Sequence, residues 1–188
     1  MVKTLYIVRH GQTFFNFHHK TQGSCDSRLT ALGIRQAKAA GDYFRKQKIN
    51  FDAAYCSTQE RASDTLELIT DHKMPYTRLK DFCEKDYGIF EGADEYTLPW
   101  NGDKLDAPSM ERDDHVVERM VNGLKRVQKE TEDGQNILIV AHGDIIAMFS
   151  KLYNSNIPHF SCCSFVKFLY DKGTYTFAGF YEPAIDVE

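Results

Sequence analysis

Two apolar runs in this 188-residue chain stop abruptly at the same dipeptide. Leu5-Tyr6-Ile7-Val8 ends in Arg9-His10-Gly11, and the run 137–141 ends in His142-Gly143. A third run, 51–56, is followed at Ser57 by a helix start that delivers Arg61. In an open parallel sheet, ligands are met beyond the carboxyl ends of the strands. Three such ends would gather two histidines and two arginines at one edge. Two arginines can hold a tetrahedral phosphoryl group through charge-assisted forks. An imidazole between cations resists protonation and stays nucleophilic. Helix N-termini after the strands add N–H groups suited to an anion. The chemistry implied is phosphoryl transfer through a phosphohistidine. Arginines beside the histidines repel a cation, so a metal site is the weaker reading. No P-loop is present.

Such a reaction also needs a proton for the leaving oxygen. The stretch CEKDYGIFEG, residues 83–92, offers Glu84, Asp86 and Glu91, and spacing alone does not choose among them.

The elements that must position these groups alternate. Strands are expected over residues 4–8, 51–56, 137–141, 165–170 and 175–181. The run 137–141 is apolar throughout, as a strand buried on both faces should be. Asp171-Lys172-Gly173 is a turn signal, so the last two strands read as a hairpin with at least one antiparallel member. Helices are expected from Thr30 as N-cap to about Lys48, with Ile34, Ala37, Gly41 and Phe44 inward. A second opens at the capping-box spacing Ser57-Thr58-Gln59-Glu60, with Ala62, Thr65, Leu66 and Ile69 inward. A third runs from Asp113-Asp114 to 125–129, burying Val117, Met120, Val121 and Leu124. A fourth follows Gly143, with Ile145, Ile146, Phe149 and Leu152 as its apolar face. Alternation of strand and helix predicts an α/β layered fold with a mostly parallel sheet. The chain reads as a single domain, 1–188, with an irregular insert at 92–112 as a lid. A long irregular segment in a compact domain is usually functional.

Composition excludes several classes. With 27 acidic against 23 basic residues the net charge is -4, so no global positive field draws nucleic acid or an anionic membrane. No apolar run reaches the ~20 residues that span a bilayer, and no basic n-region and h-region open the chain. The five cysteines are odd in number and scattered, without a C-x-x-C pair. Reduced thiols and a cytoplasmic location are the expectation. Cys162-Cys163, just before a strand, reads as buried and inert.

The string LYIVRHGQT, followed by Asn16, resembles the signature of the histidine phosphatase superfamily, which includes the phosphoglycerate mutases. Further matches follow in order. TQGSCDSRLTALGIRQA (residues 21–37) is similar to the family's glycine, aspartate, Leu-Thr and Gly-x-x-Gln-Ala pattern. STQERASDT (57–65) is similar to Ser-x-x-x-Arg-Ala-x-x-Thr, CEKDYGIFEG to Glu-x-x-aromatic-Gly-x-x-Glu-Gly, and LIVAHGD (138–144) to the second histidine motif.

The resemblance implies a three-layer α/β/α sandwich with a mixed sheet. It implies His10 as the phosphorylated nucleophile and Arg9, Arg61 and His142 as phosphoryl-binding groups. Glu84 becomes the proton donor. Gly11, Asn16, Gln22, Gly23 and Gly143 would line the substrate pocket. Neither metal nor organic cofactor is implied for phosphatase members, and the partner is a small phosphorylated metabolite. The insert departs from the mutase pattern. It carries Lys104 and Arg112 but no adjacent arginine pair, and it is acidic through Asp94, Glu95, Asp103, Asp106 and Glu111. The family's Gly-Glu-Ser is matched by Met110-Glu111-Arg112, where only the Glu persists. The expected activity is therefore phosphomonoester hydrolysis. A phosphoglycerate mutase is the runner-up, and a non-catalytic phospholigand-binding module stands behind both.

His18-His19-Lys20 reads as a surface segment that would touch an anionic substrate if it folds over the pocket. Trp100, Tyr96 and Tyr87 are candidates for an aromatic wall against an apolar or base-bearing leaving group. Phe14, Phe15 and Phe17 either rim the site or pack on the lid.

Overall fold

A computed structural model describes residues 2–102, 104–105 and 107–187. In chain order the elements are β1 (Lys3–Arg9), α1 (Phe14–Phe17), α2 (Ala31–Lys46), β2 (Ala53–Ser57), α3 (Glu60–Ile69), β3 (Thr77–Leu79), β4 (Trp100–Asn101), β5 (Lys104–Leu105), α4 (Asp113–Glu130), β6 (Asn136–Ala141), α5 (Gly143–Lys151), β7 (Phe165–Asp171) and β8 (Thr174–Tyr181). Single 3-10 turns occupy Lys80–Phe82, Gly88–Phe90 and Glu95–Thr97.

The main sheet has six strands in the order β3-β2-β6-β1-β7-β8. The first four are parallel, β7 runs antiparallel to β1, and β8 antiparallel to β7. Side-chain alternation along the central strands sends residues to opposite faces. Leu5, Ile7, Ile137 and Ile139 meet Met120, Leu124, Val127, Ile146 and Phe149 from α4 and α5. Tyr6, Val8, Leu138 and Val140 meet Ala37, Ala40, Phe44, Ala62, Leu66 and Ile69 from α2 and α3. The result is the expected α/β/α sandwich with a mostly parallel mixed sheet.

Several local expectations differ. The edge strand β3 and the β4–β5 hairpin were not anticipated. In α2, Ile34 is exposed while Ala40 and Gly33 are buried instead. In α4, Val116 rather than Val117 is fully buried. Leu152 lies just past α5, in the chain's turn away from the core, and is exposed. Helix α3 lacks the expected capping box. Ser57 is the last residue of β2, Gln59 is the N-cap without a side-chain cap, and the Glu60 N–H is met by the Asp26 carboxylate instead.

The insert is tied at both ends. Thr21 N donates to Ala93 O at 2.8 Å, Gly92 N to Thr21 O at 2.9 Å, and Glu95 N to His19 O at 2.9 Å. Lys85 Nζ reaches Leu105 O at 3.2 Å and Asp113 at 2.7 Å. Arg112 is paired with Asp114. Asp103 and Asp106 lie outside the described residues, as does the side chain of Lys104.

Candidate active site

Register brings the two histidines together. Arg9 pairs with Ala141 across the parallel β1–β6 ladder, so the next residues, His10 and His142, stand side by side. Their ring centroids are 5.2 Å apart, and His10 N donates to Ala141 O at 3.1 Å. Gly11 has no room for a side chain. A Cβ there would fall 2.6 Å from Gly33 O, and one on Gly33 would fall 2.1 Å from Gln12 O. Only paired glycines let the strand end rest this closely on the first turn of α2. Thr65 Oγ1 accepts from Gly11 N at 3.0 Å, tying the same turn to α3.

The two imidazoles have opposite tautomers. His10 Nδ1 donates to Gly11 O at 2.8 Å, because a carbonyl only accepts, and this leaves a lone pair on Nε2. Arg61 Nε donates to His142 Nδ1 at 3.2 Å, so His142 carries its proton on Nε2. Both rings are held neutral. Burial, then the Arg61 guanidinium, pushes each well below the ordinary imidazole range; Arg9 adds to this at His10, and His10 itself adds to it at His142.

Arg61 is 1 % exposed and its donors are mostly engaged. Nη1 bonds Cys25 O at 2.9 Å and Asp26 at 3.0 Å, Nη2 bonds Gly23 O at 2.9 Å, and Nε orients His142. It is therefore not the free fork that the sequence suggested. Arg9 donates from Nη1 to Phe160 O and keeps Nε buried and unpartnered. Seven buried side-chain polar atoms lack a partner among the described residues. Four belong to this region: Arg9 Nε, His142 Nε2, Gln22 Nε2 and Thr21 Oγ1. Leaving a buried donor unpaired costs ~1–3 kcal/mol, so a cluster of them marks a place for acceptor oxygens.

Of the three candidate acids only Glu84 faces this place. Asp86 is exposed and caps Gly88 N at 2.7 Å. Glu91 braces a loop, accepting from Ser24 N at 2.5 Å and Cys25 N at 2.7 Å. Glu84 is buried, and its carboxylate accepts from Lys85 N at 2.9 Å, Ile145 N at 3.1 Å and Asp144 N at 3.2 Å. The N-terminus of α5 thus receives an anion, as expected of strand-end helices, but the anion is the protein's own carboxylate. Those N–H bonds favour ionisation. Burial, and next the neighbouring Asp144 charge, outweigh them and push Glu84 up to about 7.

A cavity of about 590 Å³ opens here. Arg9, His10, Asn16, Gln22, Glu84 and Gly143 line it, while Arg61 and His142 stand behind its wall. Gly11 and Gly23 act through backbone. Gly23 O takes Arg61 and also Gln59 Nε2 at 2.6 Å. The opposite side is formed by Tyr87, Leu98, Trp100 and Leu105 with Ile157 and Pro158. Tyr96 is 84 % exposed and takes no part in the wall. Lys20 reaches the cavity but is paired with Asp94 at 2.7 Å. His18 and His19 are exposed. Phe14 and Phe17 are exposed and Phe15 half-buried, and none of the three lines the cavity.

Three supports escaped the sequence reading. Asp26 joins Arg61 to the start of α3. Gln59 Oε1 accepts from Glu84 N at 2.9 Å. Arg119 forms a two-point pair with Glu111 at 2.7 and 2.8 Å, donates to Glu84 O at 2.9 Å and also reaches the carbonyls of Asp81 and Cys83. Glu111 in turn accepts from Asp86 N at 3.2 Å. This clamp fixes the backbone on both sides of Glu84. Its only sequence signal was Glu111, kept from the Gly-Glu-Ser pattern.

Among the described residues no helix is long and apolar enough to cross a membrane, and no group of side chains is arranged to hold a metal ion.

The model of the histidine phosphatase superfamily (branch 1) matches residues 5–181. The chain is 35% identical over 143 residues to the uncharacterized phosphatase PhoE of Bacillus subtilis, covering 74% of this chain and 72% of that one. It is 27% identical over 186 residues to a 2,3-bisphosphoglycerate-dependent phosphoglycerate mutase of Cytophaga hutchinsonii, covering 89% and 86%. The solved structure of Bacillus stearothermophilus YhfR superposes with a TM-score of 0.85 at 27% identity, over 94% of this chain and 95% of that one. Paired neutral histidines, a buried carboxylate at the mouth of α5 and this match over nearly the whole length agree: the chain belongs to the histidine phosphatase superfamily, branch 1.

Proposed function

We propose that the chain hydrolyses small phosphomonoesters through a phosphohistidine at His10. The observation that carries this is the opposed tautomers: a bare Nε2 on His10 beside an unpartnered Nε2–H on His142. His10 Nε2 attacks phosphorus and the P–O bond to the alcohol breaks. Glu84 gives its proton to the departing oxygen. Water then attacks the phosphohistidine, the P–N bond breaks, and Glu84 takes the proton of that water. Arg9 Nε, His142 Nε2–H and Gln22 Nε2 are the donors offered to the phosphoryl oxygens as charge develops there. Arg61 supplies charge from behind and fixes the His142 tautomer. Asn16 and Gly143 complete the pocket, and the insert 92–112 forms its lid.

Hydrolysis is favoured over the mutase reading by the insert. Arg112 is bound to Asp114 and Lys20 to Asp94, so neither is a free cation for a substrate carboxylate. The phosphatase name of the Bacillus subtilis relative supports the same choice. The test is a panel of phosphomonoesters assayed for free phosphate without bisphosphoglycerate, with the enzyme quenched in alkali to retain phosphohistidine. Phosphate release and a label on His10, both lost in His10→Ala, are expected. Hydrolysis retained in His10→Ala would overturn the mechanism. Phosphoryl exchange between phosphoglycerates without release would favour the mutase.

A further inference from the structure

Asp144 has no role in the reading above, yet it lines the cavity one residue beyond His142-Gly143. Its backbone N–H bonds the Glu84 carboxylate at 3.2 Å. Its own carboxylate accepts from the Tyr87 hydroxyl, and no salt bridge to it is found among the described residues. Burial pushes the Asp144 carboxyl up, while the Tyr87 hydroxyl donates to its anion and no cation stands at salt-bridge distance among the described residues to compensate that charge. The charged and titratable groups that face it are Arg9 from β1, Lys85 from the acid loop, His159 from the segment before β7 and Lys151 from the end of α5. Glu84 is faced by Asp144 from α5, by Arg61 from α3 and by the N–H of Lys85.

We propose that Asp144 is a positioning residue that keeps the catalytic proton on Glu84 at neutral pH. The physical reason is that two carboxylates at one buried site resist ionising together. Three N–H groups aimed at Glu84 would otherwise stabilise its anion and leave it unable to protonate an alkoxide. Asp144 offsets them without touching the reacting atoms. Tyr87, by donating to Asp144, holds that charge against the cavity wall. The inference rests on Glu84 being the proton donor.

The experiment follows kcat/KM against pH for glycerol 2-phosphate, an alkyl ester whose leaving group needs a proton, and for 4-nitrophenyl phosphate, whose leaving group does not. Asp144→Asn keeps size and an acceptor for Tyr87 while removing the charge. Its basic limb on glycerol 2-phosphate should move down by ~1 pH unit, so that the variant-to-parent ratio falls about tenfold between pH 5.5 and pH 8. On 4-nitrophenyl phosphate the same ratio should vary by less than about threefold. Asp144→Ser, which also removes the charge, should shift the limb in the same direction. An unmoved limb, or an equal loss on both esters at every pH, overturns the role of Asp144. Glu84→Gln separates the two readings: if it hydrolyses glycerol 2-phosphate as well as the parent, the proton-donor assignment itself fails.

Discussion

The two walls of the cavity are built to different standards. On the His10 wall Arg9, His10, Arg61, His142 and Gly143 sit at strand ends or helix starts, His142 and Arg61 are buried, and each ring has its proton placed by a neighbour. On the Trp100 wall only Trp100 and Leu105 belong to strands, each of two residues, while Tyr87, Leu98, Ile157 and Pro158 come from irregular segments, and Trp100 is 58 % exposed. The first wall is wired into the sheet; the second is fastened to it by a few backbone bonds and Lys85. The two histidines proposed to handle phosphorus are thus fixed by ladder register. Trp100 and Leu105, on the side proposed to meet the alcohol, lie on a segment that can change without disturbing the core.

Substitutions should separate the walls, and the largest effect belongs to the first. Arg61→Met removes the donor that sets the His142 tautomer, strands Cys25 O and takes the cation from Asp26. Turnover should fall by roughly 10³-fold or more, and urea unfolding should show a loss of about 3 kcal/mol. Retained activity would break the distinction at its centre.

Glu84→Gln comes next. For alkyl phosphates kcat/KM should fall by roughly 10²–10⁴-fold, with a much smaller loss on 4-nitrophenyl phosphate. The parent enzyme should show the corresponding basic limb. Glu84 is useful while it holds its proton, so activity on alkyl esters should decline as pH rises through about 7. A decline on the acid side instead would assign the opposite role.

Arg119→Leu tests the clamp behind Glu84. It leaves the reacting groups in place but frees the backbone that carries the acid. A loss of ~10-fold in kcat on alkyl esters, with KM shifted by less than about threefold, is expected from displacement of a positioned group. Equal loss on aryl esters would make the clamp purely structural.

The smallest effect should come from the second wall. Trp100→Ala should alter KM by only ~3–5-fold, and only for esters with a large apolar alcohol, consistent with a half-exposed contact. A uniform loss across small and large esters would show that the two walls are not separable.

The sequence displayed the first wall well and the second poorly, for physical reasons. Strands β1 and β6 are apolar on both faces and run straight into Arg9-His10-Gly11 and His142-Gly143, which is legible in one dimension. Strand β3 is Thr77-Arg78-Leu79, too short and polar to carry a period. Helix α3 looked capped by Ser57, but that hydroxyl is engaged by Gln59, and the acceptor for Glu60 comes from Asp26, more than thirty residues earlier. Such long-range caps leave no local pattern. The same holds for Arg119, whose helix position looked like any solvated charge, and for Asp144, which read only as the polar end of a motif. Choosing Glu84 over Asp86 and Glu91 needed the family resemblance. Its geometric reason, burial against the start of α5, is visible only in three dimensions.

The place of β1 in the sheet has a consequence for how the molecule comes into being. The strand that leads into His10 precedes every other element described, yet both its partners, β6 and β7, follow it by more than 120 residues. Cys163, with φ at 61°, sends its N–H back to the carbonyls of Arg9 and His10. A ribosome therefore releases His10 long before anything exists to hold it. The central strand can be closed only when β7, about 160 residues further along the chain, has emerged, a late and non-local event of the kind that slows folding. A fragment that ends before β6 and β7 leaves His10 without the strands and the Cys163 N–H that house it.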